Sequence, residues 1–303
     1  MKFNIKKIVI GLLGIMLICY GIGAAIFSYD YKNIRLNKSN YNYNTSKTLD
    51  VNGIKTIYVD TSDSSMSVAS GDETNAKVDV KGIVTTNSYN RPKLNCYKKG
   101  DTLYIEFKRK HSFMIGWYNS SQVKMNITIP KIYNNNMEVY SSAGDVSLRN
   151  LKLDDLYSKL SAGNLDMGNL NLKSLTCKNS AGRITGDNII CNTSSVDSSA
   201  GNIGLTNFSG DIKSRNSAGK TSVQYNKFNN NVDLKNSAGN IYLTLPKESK
   251  FNIDASVSAG DINCSFPITV NGTRHENSVI GRVGESNNTI KIRNSAGNVE
   301  INN

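Results

Sequence analysis

Apolar and polar residues alternate along most of this chain with the period of a half-buried β-strand. Asn240-Ile241-Tyr242-Leu243-Thr244-Leu245 is one such segment. Upstream the same alternation recurs at irregular spacing: Ile54-x-x-Ile57-x-Val59, Met66-x-Val68, Val78-x-Val80, Leu103-x-Ile105-x-Phe107, Val123-x-Met125-x-Ile127-x-Ile129 and Met137-x-Val139. β-Branched residues dominate the apolar positions and Gly and Asn punctuate them, which argues against helix. One segment departs from the pattern. Ile8 to Phe27 carries no charge, and as a helix rising about 1.5 Å per residue it spans roughly 30 Å, one hydrocarbon core.

From Gly144 onward the alternation is built into a repeat. Ser-Ala-Gly returns at Gly144, Gly163, Gly182, Gly201, Gly219, Gly239, Gly260 and Gly297, at near-regular spacing until a last gap close to twice the period. Ser278-Val279-Ile280-Gly281 reads as a degenerate copy within that gap. Asn or Asp follows the glycine in six of the eight copies, with Arg183 and Lys220 as departures, and an apolar residue comes next in most. A unit this short cannot bury its own apolar face, but stacked copies bury a continuous one. Ser and Ala fit a corner where coils lie about 4.8 Å apart. Gly supplies the positive φ of the corner, and Asn or Asp bonds neighbouring backbone and pairs up the stack. A weaker beat at Gly210 implies more than one bend per coil. The expected fold is all-β: a right-handed parallel β-helix or β-solenoid with coils of ~19 residues, preceded by one N-terminal transmembrane helix. Consecutive hairpins in a β-sandwich are the alternative. With Val299 and Ile301 in the last copy, the C-terminal end is expected to be uncapped.

Five expected segments follow: a basic cytoplasmic N-terminus (1–7), a membrane anchor (8–27), a polar spacer (28–50), a β cap or degenerate first coils (51–137), and the repeat solenoid (138–303). Lys2, Lys6 and Lys7 precede the apolar stretch, so the positive-inside rule keeps the N-terminus inside and exports the rest. A cleaved signal peptide, with Gly23-Ala24-Ala25 at the cut, is the alternative, although such apolar regions usually run only about 7–15 residues.

Charge refines this picture. The chain has 303 residues and a net charge of +12. Residues 28–137 hold +7 of it and residues 138–303 only +2. The densest cations are Arg91, Lys93, Lys98, Lys99, Lys108, Arg109 and Lys110. Outside a cell such a face meets anionic wall polymers, lipid headgroups or another envelope protein. No groove-reading or stacking motif for nucleic acid accompanies it. Just after it, Phe113, Trp117 and Tyr118 form an apolar loop that either binds a membrane interface or sugar, or folds over the end of the core. These ten residues are the candidate surface-binding set.

Composition narrows the chemistry. Asn numbers 42 against 4 Pro, 2 His and 5 Cys. No zinc, EF-hand or Gly-Gly-x-Gly-x-Asp calcium spacing occurs, so no cofactor or metal is expected. Asp154-Asp155 is the only adjacent acidic pair, and strand neighbours point to opposite faces. A catalytic set is therefore not expected, with a glycan-acting β-helix enzyme as the alternative. Within the repeat Cys177, Cys191 and Cys264 fall out of register, and these and Cys96 are expected to be buried free thiols, with a disulfide as the alternative.

The order of these features is a basic N-terminus, one span, an I-x-x-I-x-V strand, an apolar-aromatic loop, a strand ending Ile129-Pro130-Lys131, and a train of S-[SA]-G-[ND]-[IV] units. It resembles the bacterial "putative adhesin" β-strand-repeat family of unknown function, which includes LiaG-like envelope-stress proteins. The resemblance covers roughly residues 50–303. It implies a solenoid-like ectodomain outside the cytoplasm, acting as a non-catalytic binding or scaffolding module or as a regulatory partner of a membrane sensor, and it brings no catalytic residues.

Overall fold

The computed structural model describes residues 14, 16–25, 28, 39–86, 91–109, 120–270 and 277–303. The described part of 8–27 is helical and exposed; the rest of that stretch lies outside the described residues. Among the described residues no helix is long and apolar enough to cross a membrane. From Ser39 the chain is almost entirely strand, joined in one solenoid-like sheet.

The middle of the molecule follows the repeat. Strand Leu165–Ala181 pairs in parallel with Lys152–Ala162 and with Ile184–Ala200, so that Ala181 lies between Ala162 and Ala200, one repeat to either side. Strand Ile203–Ala218 continues the stack. Two left-handed backbone positions bend each of these rungs. One is the repeat glycine, such as Gly163 at φ 117°. The other is the asparagine further along the rung: Asn150, Asn169, Asn188 and Asn207 have φ of 51–56°. Asn suits that position because its short amide bonds locally. The Asn169 amide donates to Asn150 Oδ1 at 2.9 Å, and Asn188 donates to Asn169 at 2.9 Å.

The residue after each glycine ties one rung to the next. The backbone N–H of Asn164 donates to Asp145 Oδ1 at 2.9 Å, that of Arg183 to Asn164 at 3.0 Å, and that of Lys220 to Asn202 at 2.9 Å. Asp211, at the weaker beat, accepts from the Asn231 N–H at 2.8 Å. Where the motif reads Asn-Ser-Ala-Gly, the asparagine turns inward. Asn179, Asn216, Asn236 and Asn294 each donate to the glycine carbonyl of a neighbouring rung at 3.0–3.1 Å. These bonds compensate buried amides that the apolar core would otherwise exclude.

The stack does not follow chain order at its distal end. Strands Val232–Ala238 and Ile241–Thr244 pair with Thr289–Ala296 and Val299–Asn302, skipping the repeat that comes next in sequence. The last repeat then pairs on its other side with Phe251–Ala259 and Ile262–Cys264. The C-terminal repeat is thus an inner rung, corrected from an uncapped end, and Val299 and Ile301 are fully enclosed. The expected degenerate copy at Ser278–Gly281 is also corrected. Strand Ser278–Val283 runs antiparallel to Phe251–Ala259 and closes that side, with Thr269–Val270 beyond it. Phe208, Tyr225, Phe228, Phe251 and Phe266 form a chain of edge-to-face rings at 5.1–6.2 Å through this end of the core.

At the opposite end, strands Thr56–Asp63 and Ser65–Gly71 make a rung against Asn136–Ala143 and Val146–Arg149, far away in sequence. Thr102–Lys108 and Ser120–Pro130 form the next, with Leu103 against Ile57 and Met125 against Met66. Residues 110–119, between the two strands of this second pair, lie outside the described residues. Antiparallel strands finish this end: Lys93–Lys99 on Thr102–Lys108, Ala76–Thr86 on Ser120–Pro130, and Ser39–Leu49 on Ala76–Thr86. Part of the range read as a polar spacer is therefore sheet. Non-sequential rungs explain the irregular spacing of the upstream strands.

Candidate functional site

Alternation fixes what the sheet at the N-terminal end presents outward. In Thr102–Lys108, Leu103, Ile105 and Phe107 are buried, so Tyr104, Glu106 and Lys108 face out. In Thr56–Asp63 the outward residues are Tyr58 and Asp60, and in Asn136–Ala143 they are Glu138 and Tyr140. In-register pairing lines these up across strands that are distant in sequence.

The result is a tyrosine ladder. Ring centroids are 4.9 Å apart for Tyr97–Tyr104, 5.1 Å for Tyr104–Tyr58, 5.0 Å for Tyr58–Tyr140 and 5.5 Å for Tyr140–Tyr157. The rings cover each other's faces, so the ladder offers ring edges and hydroxyls to solvent. Carboxylates flank it. Tyr58 donates to Asp60 at 3.0 Å, Tyr140 to Glu138 at 3.0 Å and Tyr97 to Glu106 at 3.4 Å. Burial, reinforced by the Glu138 hydrogen bond, pushes the Tyr140 hydroxyl up to about 12. Burial and then Asp60 push Tyr58 further up. Lys108 bridges Asp60 at 2.5 Å and Glu106 at 3.3 Å. Burial works against its charge, but these two carboxylates carry it above the ordinary lysine value.

Exposed cations border the ladder. Lys93 lies opposite Lys108 and Lys99 opposite Thr102 on the strand that carries Tyr97; both are exposed, and neither forms an ion pair among the described residues. At the other end the Lys178 ammonium lies 5.9 Å from the Tyr157 ring centroid. The face is therefore amphipathic, hydroxyl-rich and edged with reachable ammonium groups.

The candidate surface set divides. Lys93, Lys99 and Lys108 share this face. Lys98 turns the other way to Asp50 at 2.8 Å. Arg91 packs over Tyr41 and Tyr43 at 4.8 and 5.4 Å, and Arg109 donates to Thr86 at 3.3 Å. Lys110, Phe113, Trp117 and Tyr118 lie outside the described residues. Sequence reading missed the five tyrosines and the three carboxylates Asp60, Glu106 and Glu138. The tyrosines each come from a different strand, and only the period-two outward register of each strand hinted at them.

Other features are quieter. An open groove of about 470 Å³ is lined by Ser67, Lys124, Asn126, Asp145, Asn164 and Asp166. Its carboxylates are engaged, Asp145 by Asn164 and Asp166 by Arg149 and Thr185. Among the described residues no group of three His, Cys, Asp or Glu is placed to hold a metal ion. No disulfide joins the five cysteines. Cys177 and Cys191 are buried, which raises both thiols, Cys191 to about 12.

Residues 54–302 match the family model described as Toastrack DUF4097. No curated protein matches the chain. Solved structures similar to it include a "putative adhesin" from Bacteroides fragilis (13% identity, 88% of this chain and 97% of that one, TM-score 0.49). Others are a "putative cell adhesion protein" from Clostridium sporogenes (15%, 86% and 99%, 0.31) and a "putative lipid binding protein" from Parabacteroides distasonis (13%, 88% and 98%, 0.38). At such identities and scores the likeness carries neither ligand nor activity.

Proposed function

The chain belongs to the Toastrack DUF4097 family, and from that premise we propose that it is a non-catalytic binding or scaffolding module of the bacterial cell envelope. In this reading Ile8–Phe27 anchors it in the membrane with the N-terminus inside, and a right-handed parallel solenoid stands outside. The N-terminal end of the solenoid, nearest the anchor, carries the binding face. Its setting is the envelope-stress context that the family resemblance implies.

One observation carries the reading: the tyrosine ladder with its rim of Lys93 and Lys99, which form no ion pair among the described residues. The carboxylates on this face are engaged by tyrosine hydroxyls and by Lys108, whereas the Lys93 and Lys99 ammonium groups on its rim are exposed and form no ion pair among the described residues. An anionic wall polymer fits it, since phosphate or carboxylate groups meet the ammonium rim while polymer hydroxyls meet the tyrosine edges.

The test is co-sedimentation of the detergent-solubilised full chain with purified wall, native or stripped of its anionic polymer. The wild-type chain is expected to sediment with native wall and to be released by salt, as screened surface charges require. Lys93→Glu with Lys99→Glu is expected to abolish the retention. A double variant that sediments as wild type rejects this face. Protease treatment of intact cells checks the topology: a chain cleaved only after lysis contradicts export.

A further inference from the structure

The inverted order of the last two repeats singles out one rung. Thr289–Asn302 fills a slot between 232–245 and 251–265 and is bonded on both sides. Gly239, Ile241 and Leu245 donate to Ala296, Asn298 and Asn302, each at 2.9 Å. On the far side Gly297 and Val299 donate to Ala259 and Asp261, and Ser265 donates to Ile301, again at 2.9 Å. Ile290, Ile292, Val299 and Ile301 fill the core. Asn294 donates to the carbonyls of Gly239 and Gly297 at 3.0 and 2.8 Å.

The rung is joined to strand Ser278–Val283 by the short link 284–288, which is exposed or half-buried. The two walls also match each other. Through their shared partners in the rung, Val232, Leu234, Ala238, Ile241 and Leu243 correspond to Ile253, Ala255, Ala259, Ile262 and Cys264. Loss of the rung therefore lets the walls close on each other in register, which costs one ladder interface and not two.

We propose that Thr289–Asn302 is an exchangeable rung, and that the slot accepts the same segment from a second copy of this chain. The occupant is specified by the slot. It needs apolar-x-apolar, then Asn-Ser-Ala-Gly-Asn, then apolar-x-apolar, with an inward amide aimed at the Gly239 carbonyl. Another copy supplies that sequence and every bond above, so the exchanged state differs from the closed one only in the path of the 284–288 link. The slot lies at the opposite end of the stack from the tyrosine face, so copies joined this way keep their binding faces free.

Paired cysteines in the full chain test it. Tyr242 and Glu300 are direct ladder partners across the slot, and rungs about 4.8 Å apart fall within the Cα separation that a disulfide spans, roughly 4.4–6.8 Å. The double variant Tyr242→Cys/Glu300→Cys is expected to cross-link within one chain. Two differently tagged chains, one with Tyr242→Cys and one with Glu300→Cys, are then co-expressed. Exchange predicts a covalent heterodimer several-fold above the control pair Tyr242→Cys with Lys178→Cys. Heterodimer at the control level, with the intrachain cross-link present, overturns the exchange. Absence of the intrachain cross-link overturns the slot itself.

Discussion

Replacing Gly201 with alanine probes the corner on which the stack depends. Gly201 has φ 144°, and a Cβ there would lie 1.9 Å from the Gly182 carbonyl oxygen and 2.7 Å from its carbonyl carbon. Both atoms are backbone, so no side chain can move aside. A left-handed position disfavours alanine by about 1–2 kcal/mol. The contact also forces the rungs apart, straining the Gly182-to-Ala200 and Gly201-to-Ala218 hydrogen bonds of 3.0 and 2.9 Å, each with a net value of about 1 kcal/mol. The expected loss is about 3–4 kcal/mol, against a typical domain stability of about 5–15 kcal/mol. Gly204, in the same rung, is the control: it has no positive φ and a Cβ there meets nothing within 4 Å. The assay is urea unfolding of both variants followed by far-ultraviolet circular dichroism. With a slope of about 3 kcal/mol per molar urea, the Gly201→Ala midpoint falls by about 1 M while that of Gly204→Ala stays in place. Equal midpoints for the two variants refute the corner argument.

Three further outcomes are expected. Asn216→Ala removes a buried donor from the Gly201 carbonyl and is expected to cost about 1–2 kcal/mol by the same assay, more than Asn202→Ala, whose amide is exposed. Burial holds the Cys191 thiol near 12 and raises Cys177 further, so iodoacetamide at mildly alkaline pH is expected to leave both unlabelled in the native chain and to label both after denaturation, as read by mass spectrometry. Tyr140 ionises near 12 when folded and near 10.0 otherwise. The unfolded chain therefore loses that proton first, and the contribution to stability is complete below about pH 10 and lost as pH rises through about 12. Tyr140→Phe is expected to remove absorbance amplitude near pH 12 from the alkaline titration of the folded chain, and amplitude lost near pH 10 instead would contradict this.

Much of the stack was legible in the sequence, because the repeat records the physics of each corner. Small residues mark close approach, Gly163 and its counterparts mark the left-handed bend, and Asp145 or Asn164 marks the tie to the next rung. The order of the last two rungs was not legible, since 251–265 and 289–302 carry the same alternation and the same triplet. One of the positions at which they differ carries a buried amide in only one of them. Asn294 needs a glycine carbonyl and finds Gly239, whereas Val257 offers no amide and sits in the outer rung. The tyrosine face was hidden for a related reason. Tyr97, Tyr104, Tyr58, Tyr140 and Tyr157 adjoin only once the register is known that sets Tyr58 against Tyr104 on one side and Asp60 against Tyr140 on the other. No local pattern carries that information.

The functional account rests on that face, and a footprint tests it directly. Hydrogen exchange of the full chain, free and bound to native wall, is expected to show added protection in 56–60, 93–108 and 136–140, with 241–264 unchanged. Protection confined to the distal rungs, or none in 93–108, would contradict the assignment of the tyrosine and lysine face as the binding surface.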